Sequence, residues 1–271
     1  MLTRLGPANF VKSLARILSG RPQVPPSLND NELLGIILKR RSVRSFAGRN
    51  IPDDVFAAIL EAGRLAPSTV NLQSWSFAVF TDRSWRETFG AALPFRGKRA
   101  VIVMGDTHRD KRVADVFPYS PLVEYTIAVM NASLAAMNMN VAAEALGVSS
   151  VMLSETGRSG FLDAGYLREK LGLPDGVFPL MTIVFGYARG AHPPMPPKLP
   201  LDQICWLGQY KEADRALMED WWAQMQAGYK ASHPFSSFEA QLRLYMNKIG
   251  QAEADLHKMV FYGERNVPPG A

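Results

Sequence analysis

Residues 127–146 are almost wholly apolar, broken only by Asn131, Ser133, Asn138, Asn140 and Glu144. This stretch limits the possible folds more than any other part of the chain. Ser120 and Pro121 open it in the way a helix starts, and Gly147 closes it in the usual left-handed capping position. A helix that is apolar nearly all round belongs in the centre of a protein. Its five polar residues would each need a partner in hydrocarbon, so it reads as a buried helix and not as a membrane span. The rest of the chain must then build a core around it. With 271 residues, 47% of them hydrophobic and 20% charged, there is material for that core. At roughly 150 residues per domain, the length suits one elaborated domain or two small ones.

Helices and strands are interleaved on either side. Asn29 and Glu32 resemble a capping box, and Leu33, Leu34, Ile37 and Leu38 form one apolar face of a helix ending near Arg41. Pro52, Asp53 and Asp54 open a second helix, with Val55, Phe56, Ile59, Leu60 and Gly63 facing inward until Pro67. Residues 75–81, 100–104, 148–153 and 180–187 have the short, branched or aromatic character of strands, and residues 162–171 read as a helix. Pro193, Pro194, Pro196, Pro197 and Pro200 then force an extended boundary. Beyond it, helices are expected over 211–231 and from a capping box at Ser236 and Glu239 towards Tyr262. Trp206, Trp221, Trp222, Phe235 and Phe238 there either pack helix on helix, the reading favoured, or cover an interface or pocket.

Several function classes lose support. One cysteine, Cys205, excludes an intrachain disulfide and a thiolate metal cluster, and is expected to be a buried small hydrophobe. The four histidines are isolated from one another. There is no His-Glu-x-x-His, no Gly-x-Ser-x-Gly elbow, no P-loop and no three-glycine dinucleotide fingerprint. The net charge of +5 is local. Arg4, Lys12, Arg16, Arg21, Lys39, Arg40, Arg41, Arg44 and Arg49 face only Asp30 and Glu32 within the first 49 residues, so a general nucleic-acid surface is not expected. Phe10, Val11, Leu14, Ile17 and Leu18 have helical spacing without a signal peptide's apolar block, which suggests a packed arm over a membrane-surface helix, in a cytoplasmic protein.

Two clusters carry candidate chemistry. Arg40-Arg41-Ser42-Val43-Arg44 places three guanidiniums and a hydroxyl just after a helix. They could surround a phosphate with bidentate donors, or merely complement the helix dipole. Ala66-Pro67-Ser68-Thr69-Val70-Asn71-Leu72-Gln73-Ser74-Trp75 puts hydroxyls, amides and an indole in one loop, suited to the polar edge of a flat heterocycle or to a well-bonded turn. Together they suggest a bound mononucleotide.

These residues resemble the FMN-dependent nitroreductases. The family's Arg-Arg-Ser-x-Arg-x-Phe is matched over residues 40–46. Its Ala-Pro-Ser-x-x-Asn-x-Gln-Pro-Trp is matched over 66–75, with Ser74 in place of proline. Ala142-Ala143-Glu144-Ala145-Leu146-Gly147-Val148, and Leu171-Gly172-Leu173-Pro174 through Phe185-Gly186-Tyr187, are similar to later family blocks, so the likeness spans about residues 30 to 200. It implies an α+β fold with three α/β/α layers about a central mixed, mostly antiparallel sheet. An N-terminal arm (1–28), a core (29–200) and a C-terminal helical extension (201–271) packed on a homodimer would follow.

Carried over residue by residue, the resemblance implies that Arg40, Arg41, Ser42 and Arg44 hold the FMN phosphate and ribityl chain, with Lys198 completing the phosphate site. Pro67, Ser68, Thr69, Asn71 and Gln73 would meet the flavin, partly across the dimer interface, and Met152, Leu153, Ser154 and Glu155 would run beside the ring. The sequence departs from the pattern at the reduced basic pair around Lys198 and at the missing glycine after Met152. NAD(P)H would reduce the flavin, which would pass two electrons to a nitroaromatic, quinone or similar planar acceptor in a ping-pong cycle. Reductive dehalogenation, enone reduction, dehydrogenation or flavin fragmentation on the same scaffold, and a non-catalytic flavin-binding protein, are the alternatives.

Overall fold

The computed structural model describes residues 6–22, 24–118, 120–154 and 160–262. In chain order the elements are α1 (Pro7–Ser19), α2 (Glu32–Lys39), α3 (Asp53–Arg64), β1 (Trp75–Thr81), α4 (Asp82–Phe89), β2 (Arg99–Asp106), α5 (His108–Lys111), α6 (Pro121–Ala145), β3 (Ser149–Leu153), α7 (Ala164–Leu171), β4 (Val177–Gly186), α8 (Arg215–Ser232) and α9 (Phe238–Val260). Two compact units divide the chain. The larger takes Leu28–His192 with Lys248–Ala271, and the smaller Met1–Ser27 with Pro193–Asn247, the division falling within α9.

In the larger unit the sheet runs β1-β2-β4-β3 with antiparallel ladders, and a parallel bridge from Ser42 to Ser150 makes the pairing mixed. Strand side chains alternate between the two faces. Val101, Val103, Ile183 and Phe185 meet Phe56 and Ile59 of α3 and the alanines of α6 on one side. Ala100, Ile102 and Val184 meet Trp85 of α4 and Leu167 of α7 on the other. Three layers result, as the α+β reading expects. Ala128, Ala132, Ala135 and Ala136 let α6 lie close on the sheet, so close that a Cβ on Gly105 would stand 2.8 Å from that of Ala128.

The central helix is not covered all round. Leu122, Val123, Met130, Leu134 and Met137 form an exposed apolar stripe on α6, and Leu33 and Ile37 of α2 are exposed as well. Among the described residues no helix is long and apolar enough to cross a membrane. Near the end of α6's first turn, buried Glu124 accepts bonds from Thr107 and from Lys111 Nζ at 2.7 Å. Tyr262 joins the pair, its hydroxyl 2.7 Å from Lys111 Nζ and 3.1 Å from Glu124.

In the smaller unit α1 packs on α8, where Ile17 is buried against Gly228 and Arg16 pairs with Asp220. Trp222 and Tyr229 close on Phe238 at ring distances of 5.3 and 5.6 Å, and Trp221 donates to the Pro197 carbonyl. Trp222 and Phe238 therefore pack helix on helix and Trp221 on the Pro-rich stretch, while Trp206 and Phe235 are exposed. Three expectations are corrected. The cap of α2 is Asn31, accepting from Leu34 N at 2.9 Å, and not Asn29. Ser237, and not Ser236, caps α9, since Glu239 is engaged by Gln226. Cys205 is exposed, because the Pro-rich stretch leads into a loop with little to bury it.

Candidate functional site

Arg40 caps α2 and turns the chain into an extended run held to the sheet by Ser42–Ser150 and Phe46–Ala188 bridges and by Val43 N to Ser150 O at 3.0 Å. Val43 and Phe46 go into the core, which leaves Arg44 and Ser45 outward. Arg41 folds back and donates to the Leu38 and Arg40 carbonyls, both at 2.7 Å, so its guanidinium serves the helix end. Arg40 is half-buried and Arg44 exposed, and among the described residues neither has an ion-pair partner. Ser42 lies half-buried between them, at the edge of the sheet beside β3.

The amide-rich loop stands out by its backbone. Val70, Asn71 and Gln73 have φ of 41°, 59° and 53°, a region that costs a non-glycine residue about 1–3 kcal/mol and is rarest for a β-branched one. Such geometry persists only where neighbours over-determine it, and here they do. Ser68 Oγ accepts from Gln73 N at 3.0 Å, and Thr69 donates its N–H at 3.0 Å and its hydroxyl at 3.3 Å to Asn131 Oδ1 of α6. Arg109 of α5 donates to the carbonyls of Gln73 and Trp75 and is itself paired with Asp106 at 3.1 Å. Pro67, Asn71 and Gln73 are exposed, so the strain is spent on presenting two amides outward.

Ser74, where the family pattern has proline, donates to Asp110 at 3.0 Å, a bond that proline could not make. Burial pushes the Asp110 carboxyl up, against the Ser74 bond and the Arg109 charge, and the Asp106 charge pushes it further. Asn131 is buried, and its Nδ2 is a buried donor without a partner among the described residues.

Met152 is half-buried and Leu153 buried at the end of β3, and Ser154 follows with its carbonyl accepting from Leu162 N at 3.4 Å. Glu155 lies outside the described residues. Lys198 is exposed on the smaller unit.

The register shows what the structure brings together and what it does not. Trp75 pairs with Gly105, which pairs with Phe178 at the start of β4, whereas Ser42 bridges Ser150, which pairs with Phe185 near its end. Seven residues of β4 separate those points, about 24 Å along the strand at about 3.4 Å per residue. Within one chain the arginine segment and the amide loop therefore sit at opposite ends of the sheet. Sequence reasoning missed Asn131, Asp106, Arg109 and Asp110 as loop supports. Asn131 did carry a signal, since a polar residue in an apolar helix must have something to bond. The other three lie at the end of β2 and just after it in no recognisable motif.

The nitroreductase family model matches residues 37–187, more than half of the chain. An Archaeoglobus fulgidus protein provisionally named NADH dehydrogenase/NAD(P)H nitroreductase is 34% identical over 58% of this chain and 86% of its own length. An NADPH-dependent oxidoreductase of Staphylococcus aureus is 27% identical over 70% of this chain and 80% of its own. The solved structure of the Vibrio harveyi NADPH:FMN oxidoreductase complexed with NAD+ superposes with a TM-score of 0.63, at 22% identity, over 80% of this chain and 92% of that one. The fold and the motif-bearing segments thus define a nitroreductase-type oxidoreductase. The chain belongs to the nitroreductase family.

Proposed function

We propose that the chain binds FMN and works as a homodimer that passes electrons from NAD(P)H to a nitroaromatic, quinone or similar planar acceptor by a ping-pong cycle. The observation that carries this reading is the pair of arginines, Arg40 and Arg44, held at the sheet edge with no carboxylate paired to them among the described residues. With the Ser42 hydroxyl between them they suit a phosphate dianion, for which arginine gives fork-shaped, charge-assisted bonds. The loop carrying Ser68, Asn71 and Gln73 fits the polar edge of a ring system, and its strained backbone is the kind retained at ligand clamps. Met152 and Ser154, half-buried at the open end of β3, would flank that ring.

FMN, when bound, supplies the two-electron chemistry, so no side-chain nucleophile is needed. What the chain contributes is grip on the phosphate, orientation of the ring and a flat approach for donor and acceptor in turn. The 24 Å offset supports a second copy, because the arginine segment and loop of one chain are about that far apart and a two-fold partner can bring its loop to the arginines. The exposed stripe of Val123, Met130, Leu134 and Met137 offers the apolar face such a partner would cover.

The test is the absorbance spectrum of the purified protein before and after anaerobic NADH or NADPH. Flavin absorbance that bleaches, and returns on adding a quinone or nitroarene, is the expected result. A protein that takes up no FMN overturns the proposal, as does Arg44→Ala with unchanged flavin content.

A further inference from the structure

Beyond Phe46, which ends the arginine-bearing motif and lines it, a cavity of about 530 Å³ opens at the end of the sheet where β1 finishes and β2 begins. Its size falls in the range of small-molecule sites. Four cations reach its wall from four places: Arg86 from the last turn of α4, Arg96 from the turn before β2, Lys98 from the entry to β2 and Arg189 from the exit of β4. One carboxylate, Asp82, faces them and is taken by Lys98 at 3.5 Å. Among the described residues Arg86, Arg96 and Arg189 have no ion-pair partner. Phe46 and Leu93 supply an apolar floor.

The backbone holds this arrangement at a cost. Phe95 and Arg96 are consecutive non-glycine residues at φ of 56° and 60°. Gly97 follows where a Cβ would stand 2.2 Å from Val184 and 2.9 Å from Leu93. Lys98 N and Arg189 N are fixed at 2.9 Å to the Phe185 and Ser45 carbonyls. Three exposed arginines carried on a fixed backbone, with only Asp82 opposing them around a concave surface with an apolar floor, are complementary to an anion with oxygens on several sides and a small uncharged body.

We propose that this cavity is a binding site for a small phosphate ester, separate from the segment over residues 40–44. None of Arg40, Arg41 and Arg44 lines it. The test is calorimetric titration of the full-length protein, saturated with FMN, with inorganic pyrophosphate and with ADP. Saturable binding is expected in the native chain. Arg86→Gln/Arg189→Gln should weaken it at least tenfold. Arg96→Asn, whose side chain tolerates the left-handed backbone, should weaken it also. Arg44→Gln should leave it unchanged, and Asp82→Asn should tighten it by removing the competing carboxylate. ADP binding more tightly than pyrophosphate supports an ester ligand, and pyrophosphate binding as tightly as ADP or more tightly would overturn that assignment. Absence of saturable binding to either probe, an unchanged affinity in the double variant, weaker binding in Asp82→Asn, or a loss confined to Arg44→Gln would each overturn the proposal.

Discussion

Replacing Asn131 by alanine tests whether the amide loop rests on α6. The substitution removes both bonds to Thr69, each worth about 0.5–1.5 kcal/mol, so the gross loss is about 1–3 kcal/mol. It also removes the buried, unbonded Nδ2, whose desolvation penalty is of the same order and acts in the opposite direction. The change in global stability is therefore expected to be small, about 1 kcal/mol, or a fall of about 2–4 °C in Tm. The Thr69 turn of the loop, however, loses its bonds to α6. Thr69 is exposed and Val70 more so, at 85%, and among the described residues no other hydrogen bond from α6 reaches that turn. If the gross loss falls on the loop alone, FMN binding should weaken about five- to 150-fold, since about 1.4 kcal/mol is a factor of ten. Calorimetry gives Tm, flavin fluorescence gives the dissociation constant, and hydrogen exchange reports the Thr69 amide directly. Thr69→Val, which keeps the 3.0 Å backbone bond and loses only the 3.3 Å hydroxyl, should have a much smaller effect. FMN affinity within twofold of the native chain in Asn131→Ala, with a protected Thr69 amide, would refute the reasoning.

Gly105→Ala forces a methyl against Ala128, including backbone atoms that cannot swing aside, and should cost about 1–3 kcal/mol in urea unfolding without abolishing the fold. Glu124→Leu leaves Lys111 with Tyr262 alone and should cost about 3–5 kcal/mol in the same assay. Burial alone would lower the Lys111 ammonium, but its bonds to Glu124 and Tyr262 and their charges outweigh that and raise it. Burial also raises the Tyr262 hydroxyl. Both groups hold their protons more tightly when folded, so their contribution is present below about pH 10 and lost as pH rises through the raised values. The Tm of the native chain should accordingly fall more steeply above about pH 10 than that of Lys111→Met/Tyr262→Phe. Met130→Glu should turn a dimeric light-scattering mass into a monomeric one, because it sets a charge in the apolar stripe of α6.

Much of the framework could be read from local patterns, because the residues that start and stop these elements act locally. Pro121 and Gly147 bracket α6, Pro67 ends the helix before the loop, and residues 75–81 form a strand with the expected bounds. Helix α4 was missed for an equally local reason. It follows β1 with no intervening loop, it is mostly polar, and its anchoring signal is only Trp85 and Phe89 spaced four apart. Its start is the Thr81–Ser84 capping box, which a strand reading of the same threonine hides. The pairing of α1 with α8 was also beyond reach, since Ile17 and Gly228 share no pattern and meet only through tertiary packing. In the site, residue types were legible and their supports were not. The arginines and amides announce themselves by chemistry, whereas Asn131 and Arg109 matter by where helices α6 and α5 deliver them.

Ser74 illustrates how this chain departs from its family pattern without giving up the loop. A proline there would restrict φ by its ring and bias the residue before it, stiffening the turn covalently. Serine removes that restraint, and Gln73 before it is free to take φ of 53°. The stiffness is recovered by polar tethers. Ser74 donates to Asp110, Arg109 binds the Gln73 and Trp75 carbonyls, and Asp106 N donates to the Ser74 carbonyl at 3.0 Å. These tethers converge on β2's last residue and on α5, so the loop in this chain depends on ionised groups where a proline would depend on none. Asp110 is the sensitive member, because burial already favours its neutral form. Folded-state stability linked to this raised carboxyl is greatest below the ordinary aspartate value of about 3.9 and is lost as pH rises through the raised one. Ser74→Pro should therefore loosen the loop's dependence on Asp110. In that background Asp110→Asn should change FMN affinity less than it does in the native chain, a non-additivity that a double-mutant cycle measures directly.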